Sequence, residues 1–241
     1  MRKIAAITAS LILLSACAEH DPILPGVRTP VFGASDIKIL NTDVKNLPES
    51  IEYQTNDCPY TQDSSNIIWD GDRKIFSGFP TNNSVASKQK PVCHNGYVYA
   101  GLTTGEVVKV APKSRKIMWI TDVFRPSNMT GGASIVDIIA PLIVRDNSVY
   151  VGGLGDAFCR INATSGEKRW CIDIGTSVPF IMTDSVAFVV ATDNNLYAIR
   201  TSDGAVYWRT QIDTQAVPEY KNKIITVDDI KINAETGDII K

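Results

Sequence analysis

An internal repeat constrains this chain more than any other feature. Its clearest copy is a strand at residues 185–191, a turn Thr192-Asp193-Asn194-Asn195, a strand at 196–200, a turn Thr201-Ser202-Asp203-Gly204, and a strand at 205–208 that ends in Trp208. A second copy has strands at 148–152, 157–161 and 167–170, with the turn Asn162-Ala163-Thr164-Ser165-Gly166 before its last strand. In both copies the turn glycine, Gly166 or Gly204, precedes the tryptophan, Trp170 or Trp208, by four residues. An earlier copy through 96–101, 106–110 and 117–119 ends in Trp119 and carries Arg115 in place of the glycine. The last copy keeps Gly237 and reaches Lys241 where the tryptophan would fall, so this unit is expected to stop in mid-blade. Each unit opens on a short proline-bearing segment, at Pro91, Pro141, Pro179 and Pro218.

Short β-branched and aromatic runs punctuated by Gly, Asn and Asp read as strands joined by tight turns. A leading strand followed by three hairpin-linked strands makes a four-stranded antiparallel blade, repeated every 38 to 51 residues by the spacing of Trp119, Trp170 and Trp208. Such sheets stack so that each covers its neighbour's apolar face. The expected fold is therefore all-β, an incomplete β-propeller of about four blades, with Trp119, Trp170 and Trp208 filling the wedges between adjacent sheets.

The N-terminus reads differently. Met1-Arg2-Lys3 is cationic, residues 4–14 are uncharged and mostly apolar, and Leu14-Ser15-Ala16-Cys17 looks like a lipobox. The apolar run is too short to span a bilayer as a mature helix. Residues 1–16 are expected to be a lipoprotein signal peptide and Cys17 the lipid-bearing terminus; Ala18 rather than aspartate after it favours the outer membrane, facing the periplasm. Residues 17–65, polar and dotted with Pro25, Pro30, Pro48 and Pro59, read as a tether and approach segment, and residues 66–241 as the repeats.

With 24 basic against 26 acidic residues, the chain has no electrostatic footprint for nucleic acid. Cys58, Cys93, Cys159 and Cys171 form an even set in a compartment where disulfides persist, with three pairings open. Cys159 and Cys171 stand equally far from Ser165, so a hairpin of simple register would face them across the strands. Cys58 and Cys93 would then be the remaining pair.

Reactive groups are sparse. The histidines are His20 and His94, which excludes a multi-histidine metal site, and neither a nucleophile elbow nor a phosphate loop is present. Gly152-Gly153-Leu154-Gly155 lies between two strands, without a helix N-terminus to present amides, and reads as a turn. Asp193-Asn194-Asn195 and Asp228-Asp229 also fall at hairpin turns, where Asn and Asp suit the backbone angles. No catalytic residue, metal site or cofactor is expected.

Leu196-Tyr197-Ala198-Ile199, followed by Ser202-Asp203-Gly204 and Trp208, resembles the repeat of PQQ-like, quinoprotein-type propellers. A lipobox followed by such repeats is similar to the BamB family of lipoproteins of the outer-membrane β-barrel assembly machinery. Ile23-Leu24-Pro25-Gly26-Val27-Arg28 and the placement of Trp69 add to that likeness. The resemblance implies a non-catalytic, lipid-anchored scaffold that assists insertion of outer-membrane proteins, with a BamA-like partner and the membrane reached through the Cys17 lipid. The residue 124–132 connection is a candidate contact loop. Propellers of that family have eight blades, about twice what this chain supplies at its repeat length. The shortfall leaves open self-association to complete the ring, or a truncated non-functional remnant. A quinoprotein-like enzyme or ligand-binding domain is the alternative; family members that use PQQ have a calcium site and commonly a disulfide between adjacent cysteines, and no two cysteines are adjacent here.

Overall fold

The structure, a computed structural model, describes residues 37–51, 57–81, 90–124 and 135–240. Its strands form five antiparallel sheets in chain order. Sheet 1 contains β1 (Thr61–Gln62), β2 (Ile67–Asp70) and β3 (Arg73–Ser77). Sheet 2 contains β4 (Val92–His94), β5 (Tyr97–Gly101), β6 (Glu106–Ala111) and β7 (Lys116–Asp122). Sheet 3 contains β8 (Ile143–Arg145), β9 (Ser148–Gly152), β10 (Phe158–Asn162) and β11 (Lys168–Ile172). Sheet 4 contains β12 (Ile181–Met182), β13 (Val186–Val190), β14 (Asn195–Arg200) and β15 (Val206–Gln211). Sheet 5 contains β16 (Glu219–Lys221), β17 (Ile224–Val227), β18 (Ile230–Asn233) and β19 (Ile239–Ile240).

The fold is the expected all-β stack of propeller blades, four of them four-stranded and sheet 1 three-stranded. The proline of each unit falls one or two residues before a leading strand, β4, β8, β12 or β16, where the fixed φ and missing N–H of proline cost no ladder bond. Two-residue hairpins join the first two strands of sheets 2, 3 and 5. Both central residues there have positive φ, at Asn95 and Gly96, Asp146 and Asn147, and Asn222 and Lys223, as turns matching the strand twist require. The last hairpin of sheets 2, 3 and 4 shifts register at Lys109/Val110, Arg160/Ile161 and Ala198/Ile199. This recurrent bulge sets Trp119 opposite Lys109, Trp170 opposite Arg160 and Trp208 opposite Ala198.

Consecutive sheets pack face to face. Ile68, Ile75 and Phe76 meet Val98, Ala100, Val108 and Val110 between sheets 1 and 2. Tyr99, Val107 and Trp119 meet Val149, Val151 and Ile161 between sheets 2 and 3. Tyr150 and Phe158 meet Ala187, Val189 and Tyr197 between sheets 3 and 4. Phe188, Val190 and Trp208 meet Ile225, Val227 and Ile232 between sheets 4 and 5. Because both faces of a middle sheet are covered, β9 and β13 are buried at every residue and read as continuous apolar runs.

In sheet 5 the fourth strand has two residues, Ile239 and Ile240, which pair with Ile232 and Lys231. One feature departs from the sequence reading. Residues 37–51 and 57–65, expected as a polar approach segment, are built into the fold. Leu40 N–H donates to Val206 O at 2.8 Å and Val206 N–H to Lys38 O at 3.4 Å, joining residues 38–40 to the edge of β15 by a single parallel bridge. Val44 and Leu47 enter the core between sheets 4 and 5, and Tyr220 Oη donates to Pro48 O. The segment crosses two blades rather than lying along one, so its apolar residues carry no strand or helix period. Asn66, fully buried, ties sheet 1 down: its Oδ1 accepts from Thr103 N–H at 2.8 Å and its Nδ2 donates to Phe79 O at 2.7 Å.

Candidate functional site

The three blade tryptophans lie between sheets, each over the turn glycine of the following blade. A Cβ added at Gly166 would stand 2.7 Å from Trp119 Cγ, at Gly204 2.8 Å from Trp170 Cε3, and at Gly237 2.6 Å from Trp208 Cδ2. The spacing of glycine to tryptophan thus encodes two halves of successive contacts: each blade offers a glycine backward and a tryptophan forward. Those glycines have φ of 77°, 77° and 81°, a region open to a residue without Cβ.

Cations reinforce two of the junctions. Lys109 Nζ donates to Ala163 O at 2.7 Å, where Trp119 Nε1 also donates at 3.2 Å, and lies 4.0 Å from the Tyr97 ring centre. Burial lowers the Lys109 pKa. Arg160 Nη1 donates to Thr201 O at 3.2 Å beside the Trp170 Nε1 bond of 3.1 Å to the same oxygen. At the third junction Ala198 replaces the cation, and Trp208 Nε1 is buried without a hydrogen-bond partner among the described residues.

At the opposite end of the blades, main-chain bonds link the middle sheets in sequence: Ile138 N–H to Leu102 O, Leu154 N–H to Asp137 O, Thr176 N–H to Gly153 O and Thr192 N–H to Gly175 O, each between 2.8 and 3.2 Å. Gly153 is the glycine of the Gly152-Gly153-Leu154-Gly155 turn, and a Cβ there would come within 2.5 Å of Asp137 O. The turn serves close packing of backbone on backbone.

Cys159 is paired with Cys171 across β10 and β11, and Cys58 with Cys93, which fastens the segment before β1 to β4. Asp193 holds a turn: Oδ1 accepts from Asn195 N–H at 3.1 Å and Oδ2 from Tyr197 Oη at 2.6 Å. Burial first, then the Asp193 bond, pushes the Tyr197 pKa up to about 12. Arg200 grips Asp203 through two bonds of 2.7 Å and holds that carboxyl below the ordinary range.

Among the described residues no group of three or more His, Cys, Asp or Glu side chains is placed to hold a metal, and no helix is long and apolar enough to cross a membrane. Two hollows open on the surface. One of about 330 Å³ lies between Ile37, Leu40, Cys171 and Arg200, and one of about 380 Å³ between Pro48, Ile51, Arg145 and Met182. Cys17, and all of the 124–132 connection after Phe124, lie outside the described residues. The sequence reading missed the bridge from residues 38–40 to β15 and the Asn66 anchor; Asn66 carried no signal beyond its place in a turn.

A family model described as outer membrane protein assembly factor BamB matches residues 57–210. The outer membrane protein assembly factor BamB of Yersinia pestis is 25% identical over 134 residues, which cover 54% of this chain and 34% of that protein. The crystal structure of BamB from Moraxella catarrhalis matches with a TM-score of 0.58 at 17% identity, over 70% of this chain and 54% of its own. Quinohemoprotein alcohol dehydrogenase ADHIIG from Pseudomonas putida HK5 matches with a TM-score of 0.53 at 12% identity, over 76% and 40%. At those identities the two structures share a fold with this chain, which spans between a third and about half of the length of the BamB proteins it matches. Because the family match runs over more than half of the chain, the protein belongs to the BamB family of outer membrane protein assembly factors.

Proposed function

We propose that this protein is a non-catalytic scaffold of outer-membrane β-barrel assembly, anchored by a lipid on Cys17 after loss of residues 1–16 and facing the periplasm. The family match over residues 57–210 carries this reading. The placement of its polar groups supports it. Asp193, Arg160, Lys109 and Asn66 are engaged in turns and blade junctions, which leaves surfaces and strand edges as the functional material. Its partner is a BamA-like barrel-assembly protein.

The test is affinity capture of the full chain from envelope membranes, beside a Cys17→Ala variant. Expected outcomes are membrane fractionation and palmitate labelling that vanish with Cys17→Ala, and co-purification of the barrel-assembly protein with the wild type. Capture without that protein overturns the assembly role, and unchanged fractionation of Cys17→Ala overturns the anchor. A quinone absorbance with bound calcium in the purified chain would instead favour the quinoprotein reading.

A further inference from the structure

The hairpins that close the blades share one register. Ile117 of β7, Lys168 of β11 and Val206 of β15 stand opposite Val110, Ile161 and Ile199 beside the bulge, and Lys74 of β3 stands opposite Trp69 in the same place. β3, β7, β11 and β15 are therefore equivalent outer strands, each at the edge of its sheet. An exposed edge invites pairing with another chain unless charge, brevity or cover blunts it. β3 begins Arg73-Lys74 and β11 begins Lys168-Arg169, so both are blunted by charge. β15 is covered: Val206 O accepts from Leu40 N–H and Tyr207 O from Thr42 N–H. β19 has two residues only.

β7 has none of these protections. At seven residues it is the longest of the described strands, and among the described residues it pairs only with β6. Ile117, Met118 and Ile120 are 46%, 40% and 45% exposed, whereas the places equivalent to Ile120 hold Ser77, Cys171 and Arg209. Its charges are segregated. Lys113, Arg115 and Lys116 are exposed at the β6–β7 turn, and Asp122 is exposed at the far end, opposite Glu106. Opposed residues of an antiparallel pair present the same edge of their backbones, so a strand pairs with its own copy in registers centred on a residue. Centred on Trp119, Lys116 of each copy meets Asp122 of the other, Ile117 meets Thr121 and Met118 meets Ile120. Centring on Met118 or Ile120 instead sets Asp122 against Ser114 or Met118 and loses both charge pairs. The other outer strands lack this symmetry: β11 centred on Trp170 sets Lys168 against Ile172, and β3 centred on Ile75 sets Arg73 against Ser77. The bulge is no obstacle, since Val206 and Tyr207, equivalent to Ile117 and Met118, accept outward bonds on β15.

We infer that β7 is a self-association edge: a second copy of this chain pairs its β7 antiparallel to the first, centred on Trp119, and joins the two four-stranded sheets 2 into one. The contact is isologous, the same strand on both copies. A Lys116–Asp122 pair closes each end, and two Met118–Ile120 pairs lie between them. Trp119 stays in its own blade junction, over Gly166 and bonded to Ala163 O, so main-chain bonds and the flanking side chains make the joint. This pairing does not use the faces of sheets 1 and 5 and does not complete a ring. One edge of this length buries less than a standard interface, so the dimer dissociates on dilution. The inference rests on neither the assembly role nor the lipid anchor.

The test is sedimentation velocity of the purified full chain in mild detergent, at low salt and over a wide range of concentration. A monomer–dimer equilibrium is expected. Lys116→Asp and Asp122→Lys each set like charges together at both ends of the pair, and each should weaken the dimer about five-fold or more. The double swap Lys116→Asp/Asp122→Lys restores opposite charges and should return the affinity to within about three-fold of the wild type. Ile120→Arg should abolish the dimer, and sheet 4 already houses Arg209 at that place, so the blade tolerates it. On oxidation, a mixture of Met118→Cys and Ile120→Cys copies should cross-link, which reports the register. A monomer at every concentration overturns the inference. So does a dimer that ignores Ile120→Arg, or one that the double swap fails to restore.

Discussion

Gly204 and Gly96 share a φ of 77°, yet their surroundings differ: a Cβ at Gly96 would meet nothing within 4 Å, while one at Gly204 would stand 2.8 Å from Trp170 Cε3 and 2.9 Å from Cδ2. Replacing each by alanine therefore separates backbone strain from blade packing. The backbone cost of a left-handed alanine is about 1–2 kcal/mol and is common to both. Gly204→Ala adds overpacking against an indole that cannot move aside, because its Nε1 bonds Thr201 O and its ring lies 6.1 Å from Phe158 and 6.3 Å from Tyr150. Overpacking of that kind costs about 1–3 kcal/mol. Urea unfolding should thus place Gly204→Ala about 2–5 kcal/mol below the wild type and Gly96→Ala about 1–2 kcal/mol below it.

A double-mutant cycle sharpens the comparison. In a Trp170→Ala background the obstacle is gone, and the cost of Gly204→Ala should fall to that of Gly96→Ala, a coupling of about 1–3 kcal/mol. If Gly204→Ala and Gly96→Ala cost the same in the wild type, the reading of the glycine as a seat for the preceding tryptophan is refuted.

Three further outcomes follow from the same structure. Lys109→Met should change stability at neutral pH by less than about 1 kcal/mol, because Trp119 still satisfies Ala163 O, whereas Lys109→Glu, a buried anion facing that carbonyl, should cost more than about 3 kcal/mol by urea titration. Removing the Cys58–Cys93 bridge by double alanine substitution should cost about 4 kcal/mol against about 3 kcal/mol for Cys159–Cys171, since the sequence separations are 35 and 12 and longer closed loops constrain the unfolded chain more; reversal of that order in thermal unfolding counts against the loop account. Burial raises Tyr99, Tyr197 and Tyr220 to about 12, above their ordinary value of 10.0, so the folded state keeps protons that the unfolded state releases. Their stabilisation is complete below about pH 10 and lost as the pH rises to about 12, so denaturation midpoints should fall steeply across that window, and less so in Tyr197→Phe.

The blades were legible because their signals are short-range and recur. Turn glycines, Asn-Gly and Asp-Asn hairpins and a tryptophan at fixed spacing are dictated within one unit, and the repetition of the unit supplied the stacking. Arg115 kept its place in that pattern by adopting a φ of 58° itself, so a missing glycine did not hide the blade. Residues 37–51 were illegible for the opposite reason. Ile39 pairs with Val206 and Val44 N–H with Glu235 O, contacts between distant parts of the chain that no local period records. The junction cations Lys109 and Arg160 were hidden as well, since a lysine in an apolar strand declares neither its burial nor its partner until the next blade is in place.

The first and last described sheets differ from the inner ones in the face they turn away from their neighbour. In sheet 5, Ile225 pairs with Ile232 and Val227 with Ile230 on the face toward sheet 4, while Ile224 pairs with Asn233 and Thr226 with Lys231 on the face turned away. The inner strands β9 and β13 show no such alternation. Sheet 1 does the same at the other end, where Trp69 is opposite Lys74, 5.7 Å from its ammonium, and donates its indole N–H to Asp63. Another sheet laid on either face would have to desolvate Lys231 and Asn233, or Lys74 and Asp63, without the apolar area that joins the inner blades. Ring completion by face-to-face pairing of two copies is therefore disfavoured.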